Sequence, residues 1–149
     1  MILGNGIDII EISRVQKVFE KNSSKLVEKL LSKEEIEEFN LLTDDKNRVF
    51  FLAKHFSIKE AIAKAIGCGI NNEFLSFKNI SITHNKFGKP ILSNKNNAIT
   101  DVIRKFFNTT SYEIFISISD ESKFVVSNAI ICEKSNNISD AFTTAILRK

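Results

Sequence analysis

Three ionisable residues of this 149-residue chain stand in apolar surroundings, which is unusual for charged side chains. Asp8 lies in the isoleucine-rich stretch 2–10. Glu60 and Lys64 lie in the alanine-rich stretch 51–67. A carboxylate in an apolar setting is costly unless a cation pairs with it, and Mg²⁺ usually takes one or two protein carboxylates together with phosphate oxygens and waters. The pattern predicts a Mg²⁺ site for a phosphorylated substrate, in which Lys64 neutralises charge on the transferred group.

Two structural explanations remain open for the same residues. Glu60 and Lys64 are four positions apart, so on a helix they can form an ion pair at the rim of the core. Asp8-Ile-Ile-Glu11 has the form of a capping box that opens the next helix. Either explanation gives these charges a structural role only.

The stretch that carries Glu60 and Lys64 is predicted to be a long buried helix. Its apolar residues cover opposite sides of the helical wheel, which is typical of a helix inside a core. Gly67 suits its C-terminal end, and Asp44 or Asp45 suits its N-terminal cap.

Asp8 is carried by a predicted strand. Residues 2–10 are rich in β-forming side chains. Gly4 and Gly6 leave room in this strand for another backbone or a ligand to approach.

A basic stripe runs along the predicted first helix, residues 11–21, and consists of Arg14, Lys17 and Lys21. The residues predicted to face inward on the same helix are Ile12, Val15, Val18 and Phe19. Such a stripe is usually a solvated face, and it can also be a docking strip for an acidic protein. Both interpretations stay open from the spacing alone.

The whole pattern predicts one α+β domain, with an antiparallel sheet packed on the long buried helix. Residues 1–133 are predicted to form the domain and residues 134–149 a C-terminal extension. Further predicted elements are helices at 25–31, 33–42 and 96–107, and strands at 77–84, 90–92, 112–119 and 124–132, the last two forming a hairpin.

Composition excludes several classes of protein. Apolar residues make up 43% and charged residues 26%, as in ordinary globular domains, and no apolar run is long enough to span a membrane. A net charge of +3 does not by itself imply a nucleic-acid partner. The N-terminus does not resemble a secretory signal, so we expect a cytoplasmic protein. Cys68 and Cys132 are expected to be buried free thiols.

Two motifs resemble those of a known family. Residues 4–14, Gly-Asn-Gly-Ile-Asp-Ile-Ile-Glu-Ile-Ser-Arg, resemble the GxGxDxxExxR opening of the holo-acyl-carrier-protein synthases. Residues 56–67, Phe-Ser-Ile-Lys-Glu-Ala-Ile-Ala-Lys-Ala-Ile-Gly, resemble their F/W-x-x-K-E-A-x-x-K-A-x-G signature. The similarity continues in the order of the family through 69–70, 87–90 and 116–131, and therefore covers residues 1–133.

This resemblance implies a Mg²⁺-dependent enzyme with the 4′-phosphopantetheinyl transferase fold. It would transfer 4′-phosphopantetheine from coenzyme A to a serine of an apo acyl carrier protein, release adenosine 3′,5′-bisphosphate and support fatty acid biosynthesis. A metal-associated water or Glu60 is the candidate base for the serine proton. Enzymes of this short type resemble one another in being homotrimers whose sites are shared across a subunit boundary.

The resemblance also implies roles for individual residues. Asp8 and Glu60 would hold Mg²⁺, and Glu60 and Lys64 would be the catalytic pair, with Lys64 on the diphosphate. The acidic recognition helix of the carrier would be received by Arg14, Lys17 and Lys21. The remaining contacts to coenzyme A would be His55, Gly67, Gly88, Lys89, Pro90 and Ser119.

The chain departs from the family pattern at two positions. Ser117-Ile-Ser119-Asp120 stands where the family usually has Ser-x-Ser-His, and His55 stands where it usually has Arg. In the family both usual residues are associated with the phosphates of coenzyme A. An acid and a part-time cation in their place predict weaker binding of coenzyme A with the chemistry intact.

Two other functions compete with this one. The first is a Mg²⁺-dependent, nucleotide-binding phosphotransferase without specificity for pantetheine. The second is a small module that binds nucleic acid through its basic helix and phenylalanines. Single-strand binding needs exposed aromatic side chains, whereas most phenylalanines here fall on inward phases.

Overall fold

The computed structural model describes residues 1–93 and 98–134 of the chain. The predicted start of the last helix near Asn96 and the predicted extension after Lys134 fall outside these ranges. The elements in chain order are β1 (Ile2–Glu11), α1 (Ile12–Leu30), α2 (Lys33–Asn40), α3 (Asp45–Ile66), a 3₁₀ turn (Phe77–Asn79), β2 (Ile82–His84), β3 (Pro90–Leu92), α4 (Ala98–Phe107), β4 (Tyr112–Asp120) and β5 (Phe124–Glu133).

The long strands form an antiparallel sheet in the order β1-β5-β4, and β2 and β3 form a separate two-stranded hairpin. Asp8 on β1 and Ile118 on β4 both lie opposite Ser127 of the central strand. The helix α3 packs against β1 and β5. The predicted α+β fold and the predicted hairpin of β4 and β5 are confirmed.

The buried helix α3 is confirmed as the central element. The Asp44 side chain caps its start and accepts a hydrogen bond from the backbone N–H of Lys46 at 2.9 Å. Gly67 ends it in the left-handed conformation, with φ of 84°. Ala61 and Ile62 in its second half are 0% exposed.

Gly4 and Gly6 allow β1 to lie directly on the backbone of α3, as predicted. A Cβ atom at Gly4 or Gly6 would overlap a carbonyl oxygen of α3, that of Ala65 or Ala61 respectively. Asp8 follows Gly6 by two residues and therefore faces the same helix. The close approach of strand and helix is what brings the Asp8 carboxylate to α3.

The helix α1 has two arms, as the sequence predicts, joined by a kink at Asn22. The Asn22 side chain accepts a hydrogen bond from the Lys25 N–H at 3.0 Å and so caps the second arm. Val18 was predicted to face inward, but it is 50% exposed. It lies one turn after Arg14 on the outer side of the helix, whereas Val15 is buried.

The alternative in which Asp8 opens a capping box is wrong. The strand β1 stays paired with β5 as far as Glu11, which lies opposite Phe124. The helix α1 begins only at Ile12, and the side chain of its N-cap residue, Glu11, caps none of its backbone N–H groups. Asp8 is therefore a strand residue without a capping role.

The predicted strand at 77–84 forms only in its last three residues. Ser76 and Asn79 cap each other's backbone, and this folds residues 77–79 into a 3₁₀ turn. Local side-chain to backbone hydrogen bonds of this kind compete with strand formation. The return strand that begins at Pro90 is confirmed.

None of the helices in the described ranges is long and apolar enough to cross a membrane. Cys68 and Cys132 are free thiols, as expected. Both are partly exposed, so the prediction that they are buried is wrong.

Candidate active site

Asp8 is a buried carboxylate with one oxygen paired and one not. Its side chain is 10% exposed, and its Oδ1 accepts a hydrogen bond from Lys64 Nζ at 2.9 Å. Its Oδ2 is buried and has no partner within the described part of the chain. The Ser57 hydroxyl donates to the Asp8 backbone carbonyl at 3.4 Å and leaves the carboxylate free. An orphaned carboxylate oxygen is unfavourable, so the site favours a further cation.

Lys64 bridges the helix and the strand. The structure shows no ion pair between Lys64 and Glu60 along the described part of α3, and Lys64 pairs with Asp8 instead. The Lys64 side chain is 51% exposed. Its ammonium therefore lies at the mouth of the site and the Asp8 carboxylate at the base.

Glu60 is the second carboxylate of the site. Its pKa is raised, first because burial removes water from the carboxyl group and then because the charge of Asp8 opposes a second negative charge. Lys64 partly offsets this rise. A carboxyl group whose ionisation is opposed by a neighbouring carboxylate is stabilised in its charged form by a divalent cation.

This donor set fits Mg²⁺ better than a metal held by protein ligands alone. Within residues 1–93 and 98–134, no cluster of three or more His, Cys, Asp or Glu side chains is found. Mg²⁺ is commonly held by one or two carboxylates, with water and phosphate oxygens in the remaining positions. Asp8 and Glu60 supply such an incomplete set.

The residues predicted to contact coenzyme A are not all together in one subunit. Gly67 ends α3, seven residues after Glu60. Residues 88–90 form the turn into β3, and Lys89 Nζ there lies 5.8 Å from the ring centroid of Phe115 on β4. Because β5 separates β4 from β1, this turn lies at the opposite edge of the sheet, about 10 Å across the strands from Asp8. One subunit does not complete the predicted site.

Ser119 is exposed near the end of β4, on the same outer side of the sheet as Phe115. The next residue, Asp120, forms an ion pair with Lys54 of α3, with 3.0 Å between Oδ1 and Nζ. The acid that departs from the family pattern is therefore already paired with a cation.

The structure contradicts the predicted contact between His55 and a phosphate. His55 is 2% exposed, and its ring stacks on Phe51 with 3.9 Å between centroids. Its Nδ1 donates to the Phe51 carbonyl at 2.8 Å. Burial lowers the pKa of His55 to about 4, although the nearby Glu35 opposes this. A buried neutral imidazole does not supply positive charge to a phosphate at neutral pH.

A buried ion pair, which the sequence analysis missed, anchors the turn of α3 that carries Glu60. Lys59 Nζ donates to Glu35 Oε2 at 2.5 Å, to the Leu30 carbonyl at 2.8 Å and to the Phe77 carbonyl at 3.1 Å. Burial lowers the pKa of Lys59, and the Glu35 carboxylate opposes that change. All three donors of the ammonium are used, so the pair is fully satisfied and fixes this part of α3.

One signal in the sequence pointed to this pair. Lys59 falls in a helix that is apolar nearly all round, and a buried ammonium needs a partner. Glu35 forms a capping box with Ser32 at the start of α2. The ion pair of Glu35 with Lys59 cannot be predicted from local spacing, because the two residues are 24 positions apart.

Arg14, Lys17 and Lys21 are exposed along α1. Beside Arg14, the apolar side chains of Val18 and Phe56 help to line a groove of about 170 Å³. This face of α1 therefore places positive charge next to an apolar recess.

Comparisons with known proteins agree with one another. A family model, the 4′-phosphopantetheinyl transferase superfamily, matches residues 4–117. The holo-[acyl-carrier-protein] synthase of Orientia tsutsugamushi (strain Ikeda) is 37% identical over 131 residues, which is 88% of this chain and 97% of that relative. The crystal structure of the synthase from Neisseria meningitidis has a TM-score of 0.77 at 32% identity and covers 89% of this chain and 100% of that chain. The synthase of Bacillus anthracis, solved in complex with CoA (3′,5′-ADP), has a TM-score of 0.72 at 30% identity, covering 90% and 99%.

Proposed function

Because the chain belongs to the 4′-phosphopantetheinyl transferase superfamily and is a phosphopantetheinyl transferase, we propose that it modifies an apo acyl carrier protein. It transfers 4′-phosphopantetheine from coenzyme A to a serine of the carrier and releases adenosine 3′,5′-bisphosphate. The reaction depends on Mg²⁺, takes place in the cytoplasm and supports fatty acid biosynthesis. The complex of the Bacillus anthracis synthase with CoA (3′,5′-ADP) supports coenzyme A as the donor.

The observation that carries this proposal is the group made by the buried Asp8, the half-buried Glu60 and the exposed Lys64. The unpaired Asp8 Oδ2 and the raised pKa of Glu60 both indicate a site that gains stability from a divalent cation. The exposed ammonium of Lys64 stands beside them, where a diphosphate would enter. Carboxylates that can hold a metal, next to an exposed lysine ammonium, are suited to phosphoryl chemistry.

The reaction divides between these three side chains. Asp8 and Glu60 would hold Mg²⁺, and the bound ion would supply positive charge for the diphosphate and lower the pKa of associated water. Lys64 neutralises charge on the phosphate oxygens as the bond to the leaving group breaks. As the serine oxygen attacks phosphorus, its proton passes to Glu60 or to a water that Glu60 orients.

The proposal includes a homotrimer that completes the site. The outer face of the sheet is defined by three exposed apolar residues. The exposed fractions are 62% for Ile7, 62% for Ile9 and 42% for Phe115. Apolar side chains clustered on one sheet face are typical of an interface. A neighbouring copy on this face would bring its own turn 88–90 towards the Asp8 edge, which a single subunit does not do.

The carrier protein is proposed to dock on α1. Arg14, Lys17 and Lys21 would attract its acidic surface, and the groove beside Val18 and Phe56 would take an apolar side chain. A basic stripe beside an apolar recess favours a helix with acidic and apolar residues over a purely acidic ligand.

Mass spectrometry of the carrier tests the function. The purified protein is incubated with apo carrier, coenzyme A and Mg²⁺, and a carrier whose acceptor serine is replaced by alanine is the control. We expect the carrier to gain one phosphopantetheine group as adenosine 3′,5′-bisphosphate appears in equal amount, and we expect EDTA to prevent both. An unmodified carrier, or transfer of a bare phosphate, would contradict the proposal.

A further inference from the structure

Ser127 is a buried serine whose hydroxyl has no hydrogen-bond partner within residues 1–93 and 98–134. It is 1% exposed and lies on the central strand β5. The buried face of β5 packs against α3, so an apolar residue would be expected at this position. An unpaired hydroxyl in such a place is unfavourable and calls for a partner.

The same part of the structure contains a second orphaned polar atom, Asp8 Oδ2. Asp8 and Ser127 are directly opposite each other in the antiparallel pairing of β1 and β5. Opposite residues in such a pair direct their side chains to the same face, with Cβ atoms about 4.5–5.5 Å apart. The two unpaired atoms therefore belong to neighbouring side chains on the buried face, although they form no direct hydrogen bond.

A single water between the two side chains would satisfy both atoms. Such a water would donate to the Asp8 carboxylate and accept from the Ser127 hydroxyl, which has no other acceptor among the described residues. A buried water needs two to four polar partners, and Glu60, which interacts with Asp8, lies in the same site. The other nearby hydroxyl, that of Ser57, is already committed to the Asp8 backbone carbonyl.

We propose that Ser127 is a positioning residue of the metal site, whose hydroxyl holds the Asp8 carboxylate through one bridging water. This inference rests on the proposed role of Asp8 in holding Mg²⁺. Groups that hydrogen-bond a metal ligand orient it and typically change metal affinity about 10-fold to 100-fold. Ser127 is not expected to touch coenzyme A or the carrier, because its side chain lies on the buried face of the sheet.

Crystal structures of the full chain without metal, in EDTA, test the bridging water. We expect an ordered water within hydrogen-bond distance of both Ser127 Oγ and Asp8 Oδ2 in the native protein, and we expect it to be lost or displaced in Ser127→Ala. A Ser127 hydroxyl that donates directly to a main-chain carbonyl, with no water between the two side chains, would overturn the inference. This arm does not depend on any activity of the enzyme.

The affinity for Mn²⁺ alone, measured by electron paramagnetic resonance, tests the positioning role. Ser127→Ala is expected to weaken Mn²⁺ binding about tenfold. Ser127→Cys keeps the shape of the side chain without opening a cavity but donates poorly, so it should weaken binding similarly and separates loss of the hydroxyl from loss of packing. Ser81→Ala is the control, because Ser81 is also buried but bonds to Ser32 and Glu34 elsewhere.

Unchanged Mn²⁺ affinity in both Ser127 variants would overturn the positioning role. Equal weakening in the Ser81 variant would overturn it as well, since the effect would then be a general loss of stability. If the native protein shows the bridging water and binds Mn²⁺ but leaves the carrier unmodified, the proposed function fails while the role of Ser127 stands. The two failures are therefore distinguishable.

Discussion

Asp120, which stands where the family pattern usually has His, forms an ion pair with Lys54 and so changes the charge of the surface near the end of β4. Their ion pair of 3.0 Å ties the end of β4 to α3, and each side chain is about one-third exposed. The sequence predicted the unusual acid but not its partner, because the two residues are 66 positions apart and no local spacing joins them. Part of the positive charge near the end of β4 is therefore neutralised within the subunit.

Asp120→His is expected to lower the KM for coenzyme A. The substitution removes the acid and leaves the Lys54 ammonium free for a phosphate. Steady-state kinetics at fixed carrier concentration measure the change, and kcat should stay within about twofold because Asp8, Glu60 and Lys64 are untouched. Asp101→Asn, which breaks a more exposed surface pair with Arg104, is the control. An unchanged or higher KM in the Asp120 variant would count against this role.

His55 makes stability depend on pH. Its pKa is about 4 in the folded protein and 6.5 in the unfolded chain, so the unfolded chain binds more protons between these values. The free energy of unfolding should therefore fall by roughly 3 kcal/mol from this residue as pH drops from about 6.5 to about 4. The charged groups that act on the ring are Glu35, which favours the protonated imidazole, and Lys59 and His84, which oppose it.

Urea unfolding at a series of pH values measures this dependence. His55→Leu should flatten the curve between pH 6.5 and pH 4 relative to the native protein. His84→Gln is the comparison: His84 is 43% exposed, lies 3.9 Å from Glu38 and has the smallest of the named effects on the His55 ring, so its loss should leave most of the pH dependence in place. A curve of the same steepness in the His55 variant would show that its ring does not cause the acid sensitivity.

At the scale of elements, the strand β1 and the helix α3 form the site because nothing separates their backbones. The glycines that allow this contact, Gly4 and Gly6, were predictable as points of close approach. So was the extent of α3, because Asp44 and Gly67 are strong end signals. The ion pair of Lys64 with Asp8 was not predictable, because it depends on how β1 packs on α3.

Local hydrogen bonding explains the clearest failure of the sequence analysis. The alternation of residues 77–84 resembles a strand, but Ser76 and Asn79 bond to each other and to the backbone at the start of this stretch. Hydrophobic alternation alone does not reveal that competition. The prediction held only for residues 82–84, beyond the reach of the capped turn.

Gly6→Ala tests the contact between β1 and α3. The added methyl group would overlap the backbone of α3 at Ala61 and Ala65, which cannot move as a flexible side chain can. We expect a loss of about 3 kcal/mol in the free energy of unfolding and a large loss of transferase activity, because Asp8 moves with β1.

Gly67→Ala is the matched comparison. A Cβ there meets nothing within 4 Å, although the φ of 84° is strained for alanine. The expected loss is about 1–2 kcal/mol, from backbone strain alone. Chemical denaturation of both variants gives the two values, and a Gly6 variant as stable as the native protein would contradict the described packing.

At the scale of the whole molecule, the outer face of the sheet and the divided site point to the same assembly. Ser119 lies on β4 and the turn 88–90 lies next to β4, at one edge of the sheet. Asp8 lies on β1, at the other edge of the sheet. The resemblance predicted a shared site, but no pattern in the sequence distinguished the exposed face of β1 from a core face. Alternating isoleucines look the same in both cases, as Ile7 and Ile10 show with 62% and 6% exposure.

Ile7→Lys should convert the proposed trimer into monomers and abolish transfer to the carrier. A charge on the outer face would have to be buried between copies without a partner. Sedimentation velocity measures the oligomeric state. Leu41→Lys is the control, because Leu41 is 80% exposed at the end of α2, away from the sheet. A native protein that sediments as a monomer, or a trimeric Ile7 variant, would rule out this interface.

The most direct test of whether the two acids hold one cation is the initial rate of carrier modification, measured as a function of Mg²⁺ concentration. The rate is measured for the native protein, Asp8→Asn, Glu60→Gln and the double variant. If the two acids hold one cation, each single substitution should lower the rate on the order of a hundredfold or more at any Mg²⁺ concentration, and the double variant should be little worse than either. Full activity in one single variant, or two losses that multiply in the double variant, would contradict the assignment of Asp8 and Glu60 to one metal site.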